Sequence, residues 1–117
     1  VTAGLPFLFV ASGTGISPFH SFVKQYEGLD YQVLHGVRLA EESYEREEYE
    51  SGRYIACTSQ DEKGDFHGRV TDYLIANPVN SDTLCYLCGN CDMIHDVFDI
   101  LEKQGVKSEN ILTEVYF

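Results

Sequence analysis

Apolar positions along this chain fall into short continuous runs separated by segments with helical spacing. The runs at 6–12 (PFLFVAS), 31–37 (YQVLHGV), 53–59 (RYIACTS), 83–88 (TLCYLC) and 111–116 (ILTEVY) predict five strands, apolar on both faces as in a sheet covered from both sides. Between the first two, Ser17-Pro18 supplies an N-cap and a favoured first helical residue, and Phe19, Phe22, Val23 and Tyr26 follow at i, i+3, i+4, i+7. Ile94, Val97, Phe98 and Leu101 repeat that stripe, with Gly105 placed for a left-handed C-cap. A shorter helix is expected from near Arg69, burying Val70, Tyr73 and Leu74 until Asn77-Pro78 stops it. Residues 40–50 also read as helical, with Leu39, Tyr44 and Tyr49 as the apolar positions. Strands alternating with helices predict an α/β fold, a three-layer sandwich around a five-stranded parallel sheet. The polar stretch 60–68 (QDEKGDFHG) is the one long connection expected.

Composition narrows the function classes. The 117 residues, 44% of them hydrophobic, suit one domain with its own core. Eight Lys and Arg against 19 Asp and Glu leave a net charge of −11. Such a surface repels phosphate backbones and anionic headgroups, which argues against nucleic acid and membrane partners. No apolar run approaches the roughly 18 residues of a membrane span, and no basic segment leads into an apolar one as in a signal peptide. A cytoplasmic location is the expectation. The opening Val1-Thr2-Ala3-Gly4 lacks Met and runs at once into a strand, as an excised domain would.

Candidate chemistry concentrates at the predicted strand ends, where ligands of such sheets bind. The first strand leads into Gly13-Thr14-Gly15-Ile16-Ser17-Pro18. Two glycines admit a ligand close to the backbone, and the following helix directs free N–H groups at the same place. This pattern suits a diphosphate. It lacks the P-loop Lys, which favours binding a dinucleotide over cleaving a triphosphate. Cys88-Gly89-Asn90, at the end of the fourth strand, would place a thiol near a helix N-terminus, where its pKa falls. The plain alternatives are a glycine turn into a capped helix and a small strand-end residue. Cysteines 85, 88 and 91 with His95 also invite a metal or redox-sensing reading. Strand geometry opposes it, because residues three apart face opposite sides of a sheet. Cys57 and Cys85 read as core thiols. The six Glu between 41 and 50 suit a solvated face, with partner docking as the alternative. His20, His35, His67 and His95 form no cluster, and His20 lies beside the glycine turn.

Taken in order, these segments resemble the C-terminal pyridine-nucleotide domain of ferredoxin–NADP reductase-like flavoenzymes. The resemblance spans nearly the whole chain. Gly13 to Phe19 is similar to the family's GTG(I/L)(A/S)PF loop, and His35-Gly36-Val37-Arg38 to its HGVR. Gly68-Arg69-Val70-Thr71-Asp72 matches its GR(V/L)TD helix start, Cys88-Gly89-Asn90 with Met93 its CGxxxM, and Glu114-Val115-Tyr116-Phe117 its ExYF/W end.

The resemblance implies a Rossmann-like sheet of strand order 3-2-1-4-5, with residues 1–117 forming an NAD(P)-binding domain whose FAD-binding partner domain lies N-terminal to it. It implies hydride transfer between a nicotinamide and FAD. Cys88 and Glu114 would stand at the nicotinamide–flavin contact as the catalytic pair, and Tyr116 with Phe117 would cover the flavin. Gly13, Thr14, Gly15, Ile16, Pro18, Gly89, Asn90 and Met93 would hold the coenzyme. Arg38 and Arg69 match phosphate-binding arginines, while Ser59-Gln60 replaces the Ser-Arg pair that grips a 2′-phosphate in NADP-specific relatives. The balance leans slightly to NADP(H) over NAD(H). The implied acceptors are ferredoxin or flavodoxin, with a reductase component of an oxygenase as the alternative. Those acceptors are usually acidic, so the flavin domain would have to supply the basic patch.

Overall fold

The computed structural model describes residues 6–13, 19, 23–25, 29–43, 46–50 and 52–115. Six strands form one sheet: β1 (Phe7–Ser12), β2 (Tyr31–Val37), β3 (Tyr54–Thr58), β4 (Phe66–His67), β5 (Leu84–Gly89) and β6 (Ile111–Val115). Their order is β4-β3-β2-β1-β5-β6, and every pairing is parallel. The five expected strands occupy the expected order. The correction is the sixth strand: Phe66–His67 falls inside the stretch read as a polar loop and extends the β3 edge, pairing Cys57 with Phe66 and Thr58 with His67. Two residues surrounded by Asp, Lys and Gly carry no readable period, so only the neighbouring edge reveals them.

Alternation along the strands builds a core on each face. On β1, Leu8 and Val10 enter one cluster, while Phe9 and Ala11 enter the other. The first cluster is closed by helices α1 (Val70–Ala76) and α2 (Cys91–Lys103) through Val70, Leu74, Ile94, Val97 and Leu101. The second holds Phe19, Tyr31, Tyr49 and Tyr54. Both helices were legible from their stripes. The left-handed cap is also present: Gly105 has φ +98°, and the N–H of Val106 reaches back to the carbonyl of Leu101. Of the helix expected after Ser17-Pro18, Phe19 and residues 23–25 are helical, and the rest lies outside the described residues.

Residues 40–50 depart from the helix expected there. Ala40–Glu42 and Arg46–Glu48 are separate 3-10 turns, with 44 and 45 outside the described residues. Side-chain bonds fix this segment instead of an apolar stripe. Arg46 makes two bonds to Asp65 (2.6 and 3.2 Å) and lies over the Tyr54 ring, and Asp61 accepts the N–H of Ala40. Tyr49 packs inward against Tyr31 and Tyr54.

Candidate functional site

Strand order reverses at β1, whose neighbours are β2 and β5. Beyond the carboxyl ends of an open parallel sheet, such a switch point leaves a crevice. Here the chain turns into Gly13, with φ +56°, while β5 ends in Gly89 and Asn90. Ser12 ties the two ends together, its Oγ accepting the Asn90 N–H at 2.9 Å. The Asn90 side chain in turn accepts the N–H groups of Asp92 and Met93, capping α2. Asn90 is therefore first a capping residue that sets the floor of the crevice.

A cleft of about 650 Å³ opens there, on the α1 and α2 side of the sheet. It brings together Gly13, Arg38, Ser59, Arg69, Asn90 and Met93, all expected at a coenzyme site. It also contains Glu42, Asp92 and Asp96, which the sequence reading did not select. Arg38 follows β2 directly. Arg69 precedes α1, where its own N–H is held by the Asp72 carboxylate at 2.9 Å. Gln60 follows Ser59 and is exposed, its N–H bonded to the Arg38 carbonyl at 2.9 Å. Thr14, Gly15, Ile16, Pro18 and His20, with Tyr116 and Phe117, lie outside the described residues.

The expected catalytic pair stands across the sheet from this cleft. Cys88 is fully buried in the second cluster, and Glu114 is its register partner on β6. The Glu114 Oε2 accepts the Tyr86 hydroxyl at 2.8 Å and lies 3.9 Å from the Cys88 sulfur. The lowered thiol pKa expected of Cys88 is reversed. Burial first, then the Glu114 charge, pushes it up to about 12. The reason is topological: α2 begins three residues later, at Cys91, and packs on the opposite face of the sheet from Cys88. Cys85, two residues earlier than Leu87, shares the first cluster with Cys57, and burial raises both thiols to about 12. Cys85 and Cys88 thus face opposite sides, as strand alternation requires. Among the described residues, no group of three His, Cys, Asp or Glu is placed to hold a metal ion. An alkylating reagent applied to the native chain near neutral pH is expected to label exposed Cys91 and to spare Cys57, Cys85 and Cys88 until denaturant is added. Peptide mass spectrometry reads this; labelling of Cys88 as fast as Cys91 would show an open, ionisable thiol instead.

In the sequence His35 has no role beyond its place in the His35-Gly36-Val37-Arg38 motif, although a His inside an apolar strand is itself a signal. It is fully buried. Its Nε2 lies 2.6 Å from the Gly13 carbonyl and its Nδ1 2.5 Å from the Tyr54 hydroxyl. A carbonyl only accepts, so Nε2 carries the proton and donates to Gly13, while Nδ1 accepts from Tyr54. Burial lowers the His35 pKa, against the opposing influences of the Gly13 carbonyl and Glu42. The neutral ring therefore ties Gly13 to β2 and β3. Of the other described histidines, His95 is exposed, and His67 bonds the Asp61 carbonyl.

Residues 9–99 match the family described as the oxidoreductase NAD-binding domain. The chain belongs to that family. A curated relative, the electron transfer component of toluate 1,2-dioxygenase from Pseudomonas putida, is 27% identical over 95% of this chain. The chain spans 37% of that relative's length. The flavohem-like FAD/NAD-binding domain of nitric oxide dioxygenase from Vibrio cholerae superposes with TM-score 0.80 at 20% identity, over 99% of this chain and 53% of that one. A mutant ferredoxin–NADP+ reductase from Plasmodium falciparum, solved with 2′P-AMP, gives 0.67 at 23% identity, over 96% and 53%. At these identities the superpositions speak for the fold. The family places this domain among oxidoreductases that use a pyridine nucleotide. Among the described residues of this NAD-binding domain, no helix is long and apolar enough to cross a membrane.

Proposed function

We propose that this NAD-binding domain is the coenzyme half of a flavin-dependent reductase, residues 1–117 presenting a nicotinamide dinucleotide to FAD held by a separate domain of the same protein. The observation that carries the reading is the switch point at Gly13, with a cleft on one side of the sheet and the Cys88–Glu114 pair on the other. A dinucleotide is long enough to use both. Its adenosine end suits the cleft, whose size is that of a small-ligand pocket and whose lining includes the cations Arg38 and Arg69. Its pyrophosphate suits the sequence Gly13, Thr14, Gly15, Ile16 and Pro18, whose glycines admit a close backbone approach. Its nicotinamide would then reach the end of β5, beside Cys88.

The bound coenzymes supply the hydride chemistry, and the chain's own contribution is position. Gly89 keeps the end of β5 against Ser12, Met93 and Asn90 close the crevice floor, and Glu114 fixes the Tyr86 hydroxyl beside Cys88. Cys88, neutral and buried, acts as a compact polarisable contact rather than as a nucleophile. Tyr116 and Phe117 would cover the flavin.

The toluate dioxygenase relative favours an oxygenase reductase component as the full protein, with ferredoxin or flavodoxin as the other acceptors to test. The net charge of −11 requires the flavin domain to provide any basic docking surface for an acidic acceptor. Calorimetric titration of the 117-residue chain with NAD+ and NADP+ tests the nucleotide reading. Saturable binding in the micromolar to millimolar range is expected; no saturation with either would overturn it.

A further inference from the structure

We infer that the cleft selects NAD(H) over NADP(H), and that the Glu42 carboxylate, set beside Arg38 just past β2, is the residue that imposes the preference. The inference rests on the nucleotide-binding reading above. In open α/β sheets the adenosine ribose lies beyond the end of the second strand, where a carboxylate takes the 2′-hydroxyl or an arginine takes a 2′-phosphate. Both side-chain types occur at that place here, so their relative arrangement decides.

Glu42 is anchored. Its Oε1 accepts the N–H of Leu39 at 2.9 Å and of Arg38 at 3.1 Å, and its Oε2 accepts from the Arg38 guanidinium at 3.4 Å. The Leu39 N–H above all holds the carboxyl below its ordinary range, so it stays ionised near neutral pH. Swinging it aside would break two backbone bonds. Arg38 thus meets a ligand with its charge already answered by a fixed carboxylate. The same cleft holds one further cation, Arg69, against Asp92 and Asp96. At the end of β3 the cleft offers Ser59, followed by the neutral Gln60. A 2′-phosphate, bringing a charge near −2, would enter a site whose carboxylates outnumber its arginines. A 2′-hydroxyl needs no cation, and Glu42 is the acceptor it would meet. Arg38 and Arg69 favour NADP(H) only when counted without these carboxylates.

A rival explanation makes Glu42 only a cap for the 3-10 turn. Glutamine separates the two roles, since its carbonyl oxygen still accepts the Arg38 and Leu39 N–H groups while the charge is gone. Dissociation constants of NAD+ and NADP+ are measured on the intact chain and on Glu42→Gln. The wild type is expected to bind NAD+ more tightly, and E42Q to shift the ratio of the two constants toward NADP+ by about fivefold or more. On the wild type alone, raising ionic strength is expected to narrow the gap between the two nucleotides, because screening weakens the repulsion of the 2′-phosphate. Wild-type NADP+ binding as tight as NAD+, or a ratio unmoved by both the charge removal and salt, would overturn the assignment while leaving nucleotide binding intact. Absence of binding by either nucleotide would overturn the nucleotide reading itself, and this inference with it.

Discussion

Gly89→Ala is expected to destabilise the fold by about 3–5 kcal/mol and to lower the thermal midpoint by more than about 10 °C. Two costs combine. Gly89 has φ +126°, a conformation L side chains rarely adopt. A Cβ there would lie 2.3 Å from the Ser12 Oγ and 3.0 Å from the Ser12 carbonyl oxygen. The Ser12 side chain can rotate, at the loss of its bond from the Asn90 N–H, but the carbonyl belongs to β1 and moves only with the sheet. Gly105→Ala separates the two costs. That glycine is also left-handed, at φ +98°, yet its nearest neighbour would be the Ser81 Cβ at 3.5 Å. Its penalty should be only the conformational part, about 1–2 kcal/mol. Urea unfolding of both variants measures the difference, and equal penalties would show that the β1–β5 contact is not tight. Because Gly89 and Ser12 bound the crevice, G89A should also weaken nucleotide binding more than G105A does.

His35→Leu is the second large effect, expected at about 2–4 kcal/mol together with a change in acid sensitivity. The leucine fills space but leaves the buried Tyr54 hydroxyl and the Gly13 carbonyl without the ring. Adding Tyr54→Phe should recover part of the loss, since removing both ends of a buried bond costs less than removing one. The pH dependence follows from the direction of the shift. An unfolded His takes up a proton near pH 6.5, whereas burial holds the folded ring neutral to lower pH. Protons therefore favour the unfolded chain once pH falls below about 6.5, and stability declines until pH passes the lowered folded-state value, by at most about 1.4 kcal/mol per pH unit. Glu42 and Asp61, held down chiefly by backbone N–H groups, lose their contribution only near pH 4 and below. Asp65 behaves likewise, because Arg46 and the Ala56 N–H outweigh its burial. Just below pH 6.5 the slope contributed by the described residues with a shifted pKa should thus belong to His35 and diminish in H35L. Unfolding free energies measured across that range check it, and an unchanged slope would remove His35 as the titrating group.

The parts of this molecule that were legible in the sequence are those in which local pattern and burial agree. Phe9, Val33, Ala56 and Leu87 lie in runs too apolar for anything but a doubly covered sheet, and Ile94, Val97 and Leu101 repeat at the period of one buried helix face. Gly13, Arg38, Ser59, Arg69, Asn90 and Met93 were chosen from motifs and do meet in one cleft. Residues 40–50 depart from a helix because their spacing offers little apolar face to bury beyond Tyr49, so the Arg46–Asp65 and Ala40–Asp61 bonds decide the local shape. Phe66–His67 was unreadable, since two residues cannot display a period of two.

By itself, then, the chain determined five of its six described strands, the helices at 70–76 and 91–103, the parallel sheet and the family, because those depend on periodicity and on motifs that are local in sequence. Tertiary structure decided the electrostatics. Which thiol is near a helix start, which arginine meets a carboxylate and which histidine stays neutral depend on groups that are distant in sequence or on opposite faces of the sheet. The chain neighbours of Cys88 leave an activated thiol and a plain strand-end residue both open, and the sheet decides for the latter by turning it into the second core. Solvation and charge act through space, and spacing along the chain does not record them.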